Sequence, residues 1–434
     1  MRHIAVKLIQ RHTPIIIGVT GSVGKTTARE AIYGVLSHKF TAVRNDENYN
    51  NEFGVPLTVM GVKPLDGPKS ILKKIIFLWS AFKALLRAYG ILGGTFPKML
   101  VLELGADRPG DISYLVNVVK PQIGVITAVG EVPVHVEYYA SPEAVIMEKS
   151  ELIRCLPVNG LAVLNYDDQT VLDMKKYAKC PVSTFGFYDG ADVRVSEVSF
   201  FANDARSDIG GLSFKIHQGE NFIPVRIHNF LGTHQLYGVL TAVVVGAHLG
   251  LNLVEISEAL DLIEFPKGRM KLLKGIKETT LIDDTYNASP IATIAALDVL
   301  NEYGNSARRL GKKKVRKIAV LGDMKELGKY ETEAHRLIGV RAGECADIVI
   351  AVGQAARFTA EAAESILGPA KVFYYHDTEE AKIKIQNLMK EGDIILVKGS
   401  QSMRMEKIVK EIMGEPELAK ELLTRQTGKW ASTA

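Results

Sequence analysis

Short runs of apolar residues recur along the chain, and between them lie longer stretches whose apolar positions follow a helical period. The runs cover residues 15–19, 99–104, 123–129, 161–164, 318–321, 348–352 and 394–397. Runs that are apolar throughout, rather than alternating with polar residues, are typical of parallel strands buried on both faces. The pattern therefore predicts an α/β protein whose parallel sheets are covered by helices on both sides.

The pattern changes at two places, and these changes predict where the chain divides. Residues 185–226 form short alternating segments with several glycines, which indicates a smaller antiparallel part of the first domain. A break follows in the Phe-Pro-Lys-Gly-Arg stretch that ends at Arg269, after which a new strand–loop–helix series begins. We therefore expect four regions: a short N-terminal segment (1–13), a central domain (14–269), a C-terminal domain (270–413) and a tail (414–434).

Composition and charge narrow the class of protein. The 434 residues include 53 basic and 49 acidic side chains and carry a net charge of +4, which argues against a large nucleic-acid-binding surface. The three cysteines, Cys155, Cys180 and Cys345, lie far apart and lack metal-ligand spacing. Because the first residues also lack a signal-peptide pattern, we expect a cytoplasmic protein in a reducing compartment.

Residues 71–93 form an amphipathic basic segment. Its apolar positions at helical spacing are Ile71, Ile75, Leu78, Phe82, Leu85 and Tyr89, and its cations include Lys73, Lys83 and Arg87. The charges exclude a membrane-spanning helix, which needs about 20 mostly apolar residues. Two interpretations stay open: a helix that lies on an anionic membrane surface, and a helix that packs on its own domain. The periodicity alone favours the second.

A glycine-rich turn directly follows the first apolar run. Residues 18–27 read Gly-Val-Thr-Gly-Ser-Val-Gly-Lys-Thr-Thr. Gly21 and Gly24 allow close backbone approach, so that N–H groups beside a helix N-terminus can bind phosphate oxygens. Lys25 can reach the β- and γ-phosphates, and the Thr26 hydroxyl can ligate a magnesium ion shared with them. The turn predicts a nucleotide-binding site.

Two polar residues near predicted strand ends, and a lysine near the start of a predicted helix, are candidates for chemistry. Glu103 ends an apolar run at the carboxyl edge, where parallel sheets place ligands, and it could hold magnesium or form a salt bridge. His135 follows the next run, although a single histidine is more often structural. Lys149 lies in the sequence Glu-Lys-Ser-Glu and is typical of a solvated ion pair with Glu148 or Glu151, unless it is buried and deprotonated.

A pair of adjacent carboxylates, Asp283 and Asp284, follows another strand-like stretch. They precede Thr-Tyr-Asn-Ala-Ser-Pro, which is rich in turn-forming residues. The pair could bind ribose hydroxyls or a metal ion. Alternatively, Asp284 or Asn287 caps the next helix.

Taken together and in this order, these motifs resemble those of the Mur ligases, the ATP-dependent enzymes that build the peptide stem of peptidoglycan. The resemblance runs from about residue 15 to residue 413. It also rests on the motifs Asn48-Tyr49-Asn50-Asn51, Gly54-Val55-Pro56, Asp283 to Pro290 and Leu321 to Gly328. Within the family, these motifs are most similar to those of members that add D-alanyl-D-alanine. The resemblance implies a P-loop ATPase central domain and a Rossmann-like C-terminal domain.

The resemblance also implies a role for each matching residue. Nucleotide-binding roles fall on Gly21, Ser22, Val23, Gly24, Lys25, Thr26, Thr27, Asn51, His234, Arg269 and Asp284. Ligands of two magnesium ions would be Thr26, Glu103, His135 and Lys149, the last after carbamylation by carbon dioxide. Catalytic roles fall on Lys25, His135, Lys149 and Arg269.

Three of these residues lie in the second half of the chain, and the motif around one of them departs from the family pattern. Arg269 would reach the ATP phosphates and Asp284 would bind the ribose. His234 lies in a motif similar to the family's adenine-side motif, but Gln235 and Gly238 replace two asparagines that are usual there. The details of base recognition are therefore left open.

The implied reaction is amide formation in two steps. A substrate carboxylate attacks the γ-phosphate of ATP to give an acyl phosphate and ADP, and an amine then displaces phosphate. The implied small-molecule substrates are a UDP-MurNAc-tripeptide and D-Ala-D-Ala. Closure of the two domains about residues 266–269 is expected to gate the reaction.

The sequence departs from the family at its beginning, where about fourteen residues precede the first predicted strand instead of a UDP-binding domain. We expect a monomer that holds the UDP-sugar on another surface, through residues 61–98, or through a partner chain; a different, lipid-linked acyl substrate is the alternative. Two other functions stay open. One is a different amino-acid-adding ligase such as a folylpolyglutamate-synthase-like enzyme, and the other is a regulatory P-loop module without catalysis.

Overall fold

The computed structural model describes residues 1–46, 49–63, 71–130, 138–202, 209–263, 265–309 and 315–426. The chain divides into two compact units. Unit 1 comprises Met1–Ser196, Lys215–Val225 and Gln235–Glu264, and unit 2 comprises Glu197–Phe214, Arg226–His234 and Phe265–Ala434. The second unit thus includes short segments that precede residue 265.

The first sheet has nine strands in the order β2-β3-β1-β4-β5-β6-β7-β8-β9. The strands are β1 Ile15–Thr20, β2 Ala42–Arg44, β3 Met99–Glu103, β4 Ile123–Ile126, β5 Leu161–Asn165, β6 Val182–Gly186, β7 Val193–Ala202, β8 Ile209–Gln218 and β9 Asn221–His228. Pairing is parallel from β2 through to β7. Only two residues join β8 to β9, which is a hairpin connection. The predicted parallel sheet with a smaller antiparallel part is confirmed.

Helices alternate with most strands of this sheet. They are α1 Arg2–His12, α2 Lys25–Ser37, α3 Gly54–Met60, α4 Ile71–Ala88, α5 Asp111–Val119, α6 Pro142–Arg154, α7 Gln169–Leu172, α8 Leu236–His248 and α9 Leu253–Asp261. The central strands β3, β4 and β5 are buried along their whole length, because helices shield their apolar side chains from water. Because β1 pairs in parallel with both β3 and β4, the carboxyl ends of these strands lie at the same edge of the sheet, where α/β proteins bind ligands.

The second sheet has six strands in the order β10-β11-β15-β12-β13-β14. The strands are β10 Lys271–Lys274, β11 Thr280–Asp284, β12 Lys317–Gly322, β13 Ile348–Val352, β14 Val372–Tyr375 and β15 Ile394–Lys398. The helices are α10 Pro290–Arg309, α11 Glu331–Cys345, α12 Ala356–Leu367, α13 Thr378–Leu388, α14 Glu406–Ile412 and α15 Ala419–Leu422. All pairs are parallel except β10 with β11. This arrangement confirms the predicted α/β C-terminal fold.

Helix α4 packs on unit 1, but not through the apolar stripe that its periodicity emphasises. Its inner positions, Phe77, Ala81, Ala84 and Ala88, contact the hydrophobic core of the unit. Ile75, Leu78 and Phe82, which belong to the predicted stripe, are exposed instead. The prediction that this helix packs on its own domain is therefore confirmed, although these three residues of the apolar stripe do not form the contact. In the described part of the chain, no helix is long and apolar enough to cross a membrane.

Gly238 lets α8 approach the beginning of α2, the helix that starts at the glycine-rich turn. A Cβ atom at this position would lie 2.9 Å from the backbone nitrogen of Ala28 and 2.9 Å from a methyl carbon of Thr27. Real Cβ atoms do not approach backbone so closely without a shift. The close packing of the two helices therefore depends on glycine here.

We predict that Gly238→Ala destabilises unit 1 by about 1–3 kcal/mol, because the added methyl group overpacks the helix contact. The urea midpoint of unit 1 measures the effect. The matched control is Gly93→Ala, where an added Cβ would meet nothing within 4 Å. The urea midpoint of that variant should equal or slightly exceed the midpoint of the wild type. Equal midpoints for Gly238→Ala and Gly93→Ala would contradict the packing argument.

Candidate active site

The turn between β1 and α2 has a shape that only glycine permits at two positions. Gly24 caps α2 in the left-handed region, with φ 85°. Gly21 has φ 148°, and a Cβ atom there would lie 2.1 Å from the hydroxyl oxygen of Thr127. Both glycines therefore keep the loop close to the end of β4 and leave a backbone cradle at the helix N-terminus.

Two lysines converge on one backbone carbonyl of this turn. The Nζ of Lys25 donates to the Gly21 carbonyl at 2.8 Å, and the Nζ of Lys149 donates to the same oxygen at 3.2 Å. Lys149 is only 2% exposed. Burial, reinforced by the positive charge of Lys25, lowers the pKa of Lys149 to about 7. A large fraction of this amine is therefore neutral at physiological pH.

The interpretation of Lys149 as a solvated ion pair with its neighbours is wrong. Glu148 instead accepts hydrogen bonds from the backbone N–H groups of Gly110, at 2.9 Å, and Ile112, at 2.7 Å. These groups belong to the N-terminus of α5, which favours a carboxylate. Glu148 and Lys149 are adjacent in sequence, but on α6 they face different neighbours: Glu148 contacts the N-terminus of α5 and Lys149 contacts the glycine-rich turn.

Glu103 lies beside the turn and joins it through Thr26. The hydroxyl of Thr26 donates to Glu103 Oε2 at 3.0 Å, and Asn50 Nδ2 donates to Oε1 at 3.2 Å. The Arg29 guanidinium lies 3.5 Å from the same carboxylate. Asn45, which has no exposed surface, bonds both the N–H and the C=O of Glu103. The buried carboxylate is thus held in place by polar partners on several sides.

The residues at this turn fit a nucleotide phosphate. In the described residues, the Ser22 hydroxyl is buried without a hydrogen-bond partner, so it is available to donate to a phosphate oxygen. The backbone cradle formed by Gly21 and Gly24 and the ammonium group of Lys25 complement an anion.

The Thr26 hydroxyl and the Glu103 carboxylate also fit magnesium, which prefers oxygen ligands and binds through one or two carboxylates plus phosphate. The ranges described contain no group of three or more His, Cys, Asp or Glu side chains arranged for a metal ion. His135 lies outside the described residues, so its place relative to this site stays a prediction.

Asn51 stands next to this network, where it organises the start of α3. Its side-chain oxygen accepts from the backbone N–H groups of Phe53, at 3.2 Å, and Gly54, at 2.9 Å. The residue therefore shapes the loop that carries Asn50. Its predicted contact with nucleotide stays a prediction.

Unit 2 brings together a second group of the residues singled out by sequence. The Oδ2 of Asp284 accepts from Lys398 Nζ at 2.6 Å, and its Oδ1 accepts from the backbone N–H of Met270 at 3.3 Å. Lys398 also donates to the Asn287 carbonyl at 2.9 Å. Asp284 is therefore paired with a buried lysine, and neither it nor Asn287 simply caps the next helix.

Its neighbour Asp283 has no exposed surface and bonds within its own turn. Its Oδ1 accepts from the hydroxyl of Thr285 at 2.7 Å. Burial raises the pKa of Asp283 to about 6. Its Oδ2 is buried and has no hydrogen-bond partner among the described residues, so the role of Asp283 in binding a ligand stays a prediction.

Arg269 and His234 belong to the same unit as Asp284. The Arg269 guanidinium lies over the Tyr286 ring, 4.0 Å from its centre. Arg425 donates to the carbonyl oxygens of Thr285 and Tyr286 and pairs with Glu406 at 2.8 Å. The last described segment of the chain thus fixes the turn on which Arg269 stacks.

Sequence reasoning missed residues or contacts in both groups. Lys398-Gly399-Ser400 ends a strand-like run, where an α/β domain places binding loops, but the sequence did not show that Lys398 lies opposite Asp284 in the parallel register. Asn45 and Arg29 gave no local signal, because their partners are distant in sequence. Asn50 was visible only as part of a family motif.

These features define a class of protein: a two-unit α/β protein with a phosphate-binding loop and a buried lysine beside it. Residues 95–246 match the Mur ligase middle domain, and residues 268–401 match the Mur ligase glutamate ligase domain. The chain belongs to the Mur ligase family.

Similar proteins extend across most of the chain. The UDP-N-acetylmuramoyl-tripeptide–D-alanyl-D-alanine ligase of Bacillus subtilis is 28% identical over 420 residues, which cover 96% of this chain and 79% of the relative. A crystal structure of MurF from Acinetobacter baumannii is 25% identical, with TM-score 0.74 over 94% of this chain and 78% of that one. MurF from Thermotoga maritima in complex with ADP gives TM-score 0.75 at 24% identity, over 97% of this chain and 84% of that one.

The imidazole of His234 generates a prediction about acid stability. Its Nδ1 is shielded from solvent and has no hydrogen-bond partner among the described residues. Desolvation lowers the pKa of His234 to about 4, from an ordinary value near 6.5. Between these values the unfolded chain binds a proton at this histidine that the folded chain does not bind, so stability falls as the pH drops through that window.

We predict that His234→Phe removes this contribution, which amounts to at most about 3 kcal/mol. Urea midpoints measured from pH 7 down to pH 4 should fall less steeply for the variant than for the wild type. The control is His376→Phe, which replaces an exposed histidine of the same unit. Parallel curves for wild type and His234→Phe would contradict the proposed burial effect.

Proposed function

We propose that this chain is an ATP-dependent acid–amino-acid ligase that adds D-Ala-D-Ala to a UDP-MurNAc-tripeptide in peptidoglycan precursor synthesis. The observation that carries the proposal is the convergence of Lys25 and Lys149 on the Gly21 carbonyl, beside the Thr26–Glu103 contact. A phosphate-binding loop alone would serve a switch as well. A buried lysine with a pKa near 7 beside the loop favours chemistry on the nucleotide. The names of the curated relatives support the choice of substrates.

The proposed reaction has two steps. An oxygen of the tripeptide carboxylate attacks the γ-phosphorus of ATP, the bond to the β-phosphate oxygen breaks, and ADP leaves. The amine of D-Ala-D-Ala then attacks the resulting acyl phosphate at its carbonyl carbon, loses a proton, and displaces inorganic phosphate. Neither step needs a nucleophilic side chain of the protein.

The protein contributes positioning and charge to this reaction. The turn at Gly21 to Gly24 and the ammonium group of Lys25 stabilise the phosphoryl group during transfer. Thr26 and Glu103 would hold magnesium, which neutralises charge on the phosphate oxygens when it is bound. Roles at the nucleotide are proposed for Ser22, Val23, Thr27, Asn51, His234, Arg269 and Asp284.

Lys149 is proposed to act as a carbamate. Its neutral amine would attack carbon dioxide, which forms an N–C bond and releases a proton to solvent. The neutral amine thereby becomes an anionic carbamate that could ligate a second magnesium ion, together with His135. The depressed pKa supports this step, because only the unprotonated amine is nucleophilic.

Location and assembly are also proposed. We place the enzyme in the cytoplasm, where ATP is supplied, and we propose that it acts as a monomer with a division into domains near residues 264–269.

The mycobacterial folylpolyglutamate synthase shares the fold, with TM-score 0.64 at 15% identity, which supports no choice of substrate.

Phosphate release across a matrix of acyl and amino substrates tests the function. The full chain is incubated with MgATP and every pairing of UDP-muropeptides, folates, dipeptides and glutamate. Release only with UDP-MurNAc-tripeptide plus D-Ala-D-Ala supports the proposal. Turnover with a folate and glutamate, or ATP hydrolysis that ignores both substrates, would overturn it.

We predict that Lys25→Ala lowers the rate of phosphate release by at least about 100-fold, because a cation at the transferring phosphoryl group is lost. The control is Lys39→Ala, which removes an exposed lysine just beyond the other end of α2. The control should turn over like the wild type. Full activity of Lys25→Ala in the same assay would refute the phosphate-loop assignment.

We predict that the wild type, in ¹³C-bicarbonate buffer, shows a carbamate carbon resonance that Lys149→Ala lacks. Small carboxylates such as acetate should partly restore phosphate release to Lys149→Ala, because they supply the missing anion. The exposed Lys175→Ala variant serves as control and should keep the resonance. If neither the resonance nor the rescue is seen, Lys149 acts as an amine and the carbamate role is wrong.

A further inference from the structure

Helix α4 has a second apolar face that the protein does not cover. Phe77, Ala81, Ala84 and Ala88 form the face that packs on the core of unit 1. The outer face of α4 consists of Ile75, Ile76, Leu78, Trp79 and Phe82, with exposures between 48% and 65%. Large apolar side chains that cluster at such exposure mark an interaction surface rather than ordinary surface composition.

The exposed apolar surface continues beyond the end of the helix. Tyr89, Ile91 and Leu92 follow α4 and are 50%, 73% and 38% exposed. The Trp79 and Phe82 rings stack within the outer face, with centres 6.0 Å apart. Aromatic rings with exposed edges are the side chains that favour the boundary between water and lipid.

Positive charge borders this surface. On a helix with about 100° per residue, Lys74 falls at one edge of the outer face, and Lys83 and Arg87 fall at the other. The Lys83 ammonium lies 5.3 Å from the centre of the Trp79 ring. Residues 67–102 contain no aspartate or glutamate. The neighbouring helix α1 is also free of acidic residues and contributes Lys7, whose ammonium lies over Tyr89.

We propose that the outer face of α4 binds the surface of an anionic phospholipid bilayer. The helix would lie in the plane of the membrane. Its apolar side chains would insert at the boundary between headgroups and acyl chains, and its flanking cations would contact the lipid phosphates. Its inner face would stay packed on unit 1, so the whole domain is held at the membrane. The charge pattern is what selects this occupant, since both edges of the apolar face are cationic.

Vesicle co-sedimentation of the full chain tests the proposal. We expect binding to vesicles that contain phosphatidylglycerol and little binding to phosphatidylcholine alone. The apolar variant is Leu78→Gln with Trp79→Gln and Phe82→Gln. The charge variant is Lys74→Glu with Lys83→Glu. Its partition coefficient between buffer and anionic vesicles should fall by more than about tenfold, because each lysine near the membrane surface contributes roughly fivefold to binding.

Matched controls lie on the same unit, away from α4. Val158→Gln with Leu262→Gln removes apolar side chains that are 74% and 73% exposed. Lys175→Glu with Lys179→Glu reverses two exposed charges. Both controls should bind vesicles like the wild type. Circular dichroism spectra and urea midpoints of all variants, measured without vesicles, show whether they fold, and these measurements do not depend on the proposed ligase activity.

Tryptophan fluorescence gives a second readout, because Trp79 and Trp430 are the two tryptophans of the chain. In a Trp430→Phe background, the emission of Trp79 should shift to the blue when anionic vesicles are added. Three outcomes would overturn the proposal: no binding to anionic vesicles, equal binding by the α4 variants, or a dimer in vesicle-free buffer that the apolar variant dissociates. The last would assign the face to a second copy of the chain.

Discussion

The carbonyl oxygen of Gly21 is the point on which the candidate active site depends, because it accepts hydrogen bonds from Lys25 and from Lys149. The loop can present this oxygen only while it lies against the end of β4. There the Ser22 N–H donates to the Ala128 carbonyl at 2.6 Å, and the Thr127 hydroxyl donates to the Val23 carbonyl at 2.5 Å. One glycine thus links a strand end, a helix start and α6. A side chain at this position would separate the three and change the surroundings that lower the pKa of Lys149.

Glu103 lies beside the loop, and the burial of its negative charge costs free energy. Burial of an unpaired carboxylate is strongly unfavourable, whereas hydrogen bonds and a nearby cation offset much of the penalty. Asn45 fixes the backbone of Glu103, while Thr26 and Asn50 bond its oxygens and Arg29 provides positive charge. The side chain is therefore preorganised, and a hard cation can bind without first reordering it.

The sequence predicted the strands and the glycine-rich loop, which depend on neighbouring residues. It did not predict burial or contacts that depend on residues far away in the sequence. Apolar runs identified the parallel strands because burial on both faces leaves no alternation, and glycine spacing identified the loop. The burial of Lys149 was not predictable from its neighbours, since Glu148 and Glu151 suggest an ion pair that α5 prevents. Helical periodicity could not decide which face of α4 packs inward, because both of its faces are apolar and small residues such as Ala84 mark the inner one.

The buried carboxylate of Asp284 in unit 2 is also stabilised by a cation, which comes from a neighbouring strand of the same sheet. The register of β11 with β15 places Lys398 opposite Asp284, so that the pair forms wherever the sheet forms. In the described part of the chain, Asp284 accepts hydrogen bonds from Lys398 and from Met270. An ionised carboxylate can accept about four. The ion pair with Lys398 therefore fixes the orientation of the Asp284 side chain, and its remaining lone pairs are compatible with the proposed role of accepting hydrogen bonds from two adjacent hydroxyl groups of a ribose.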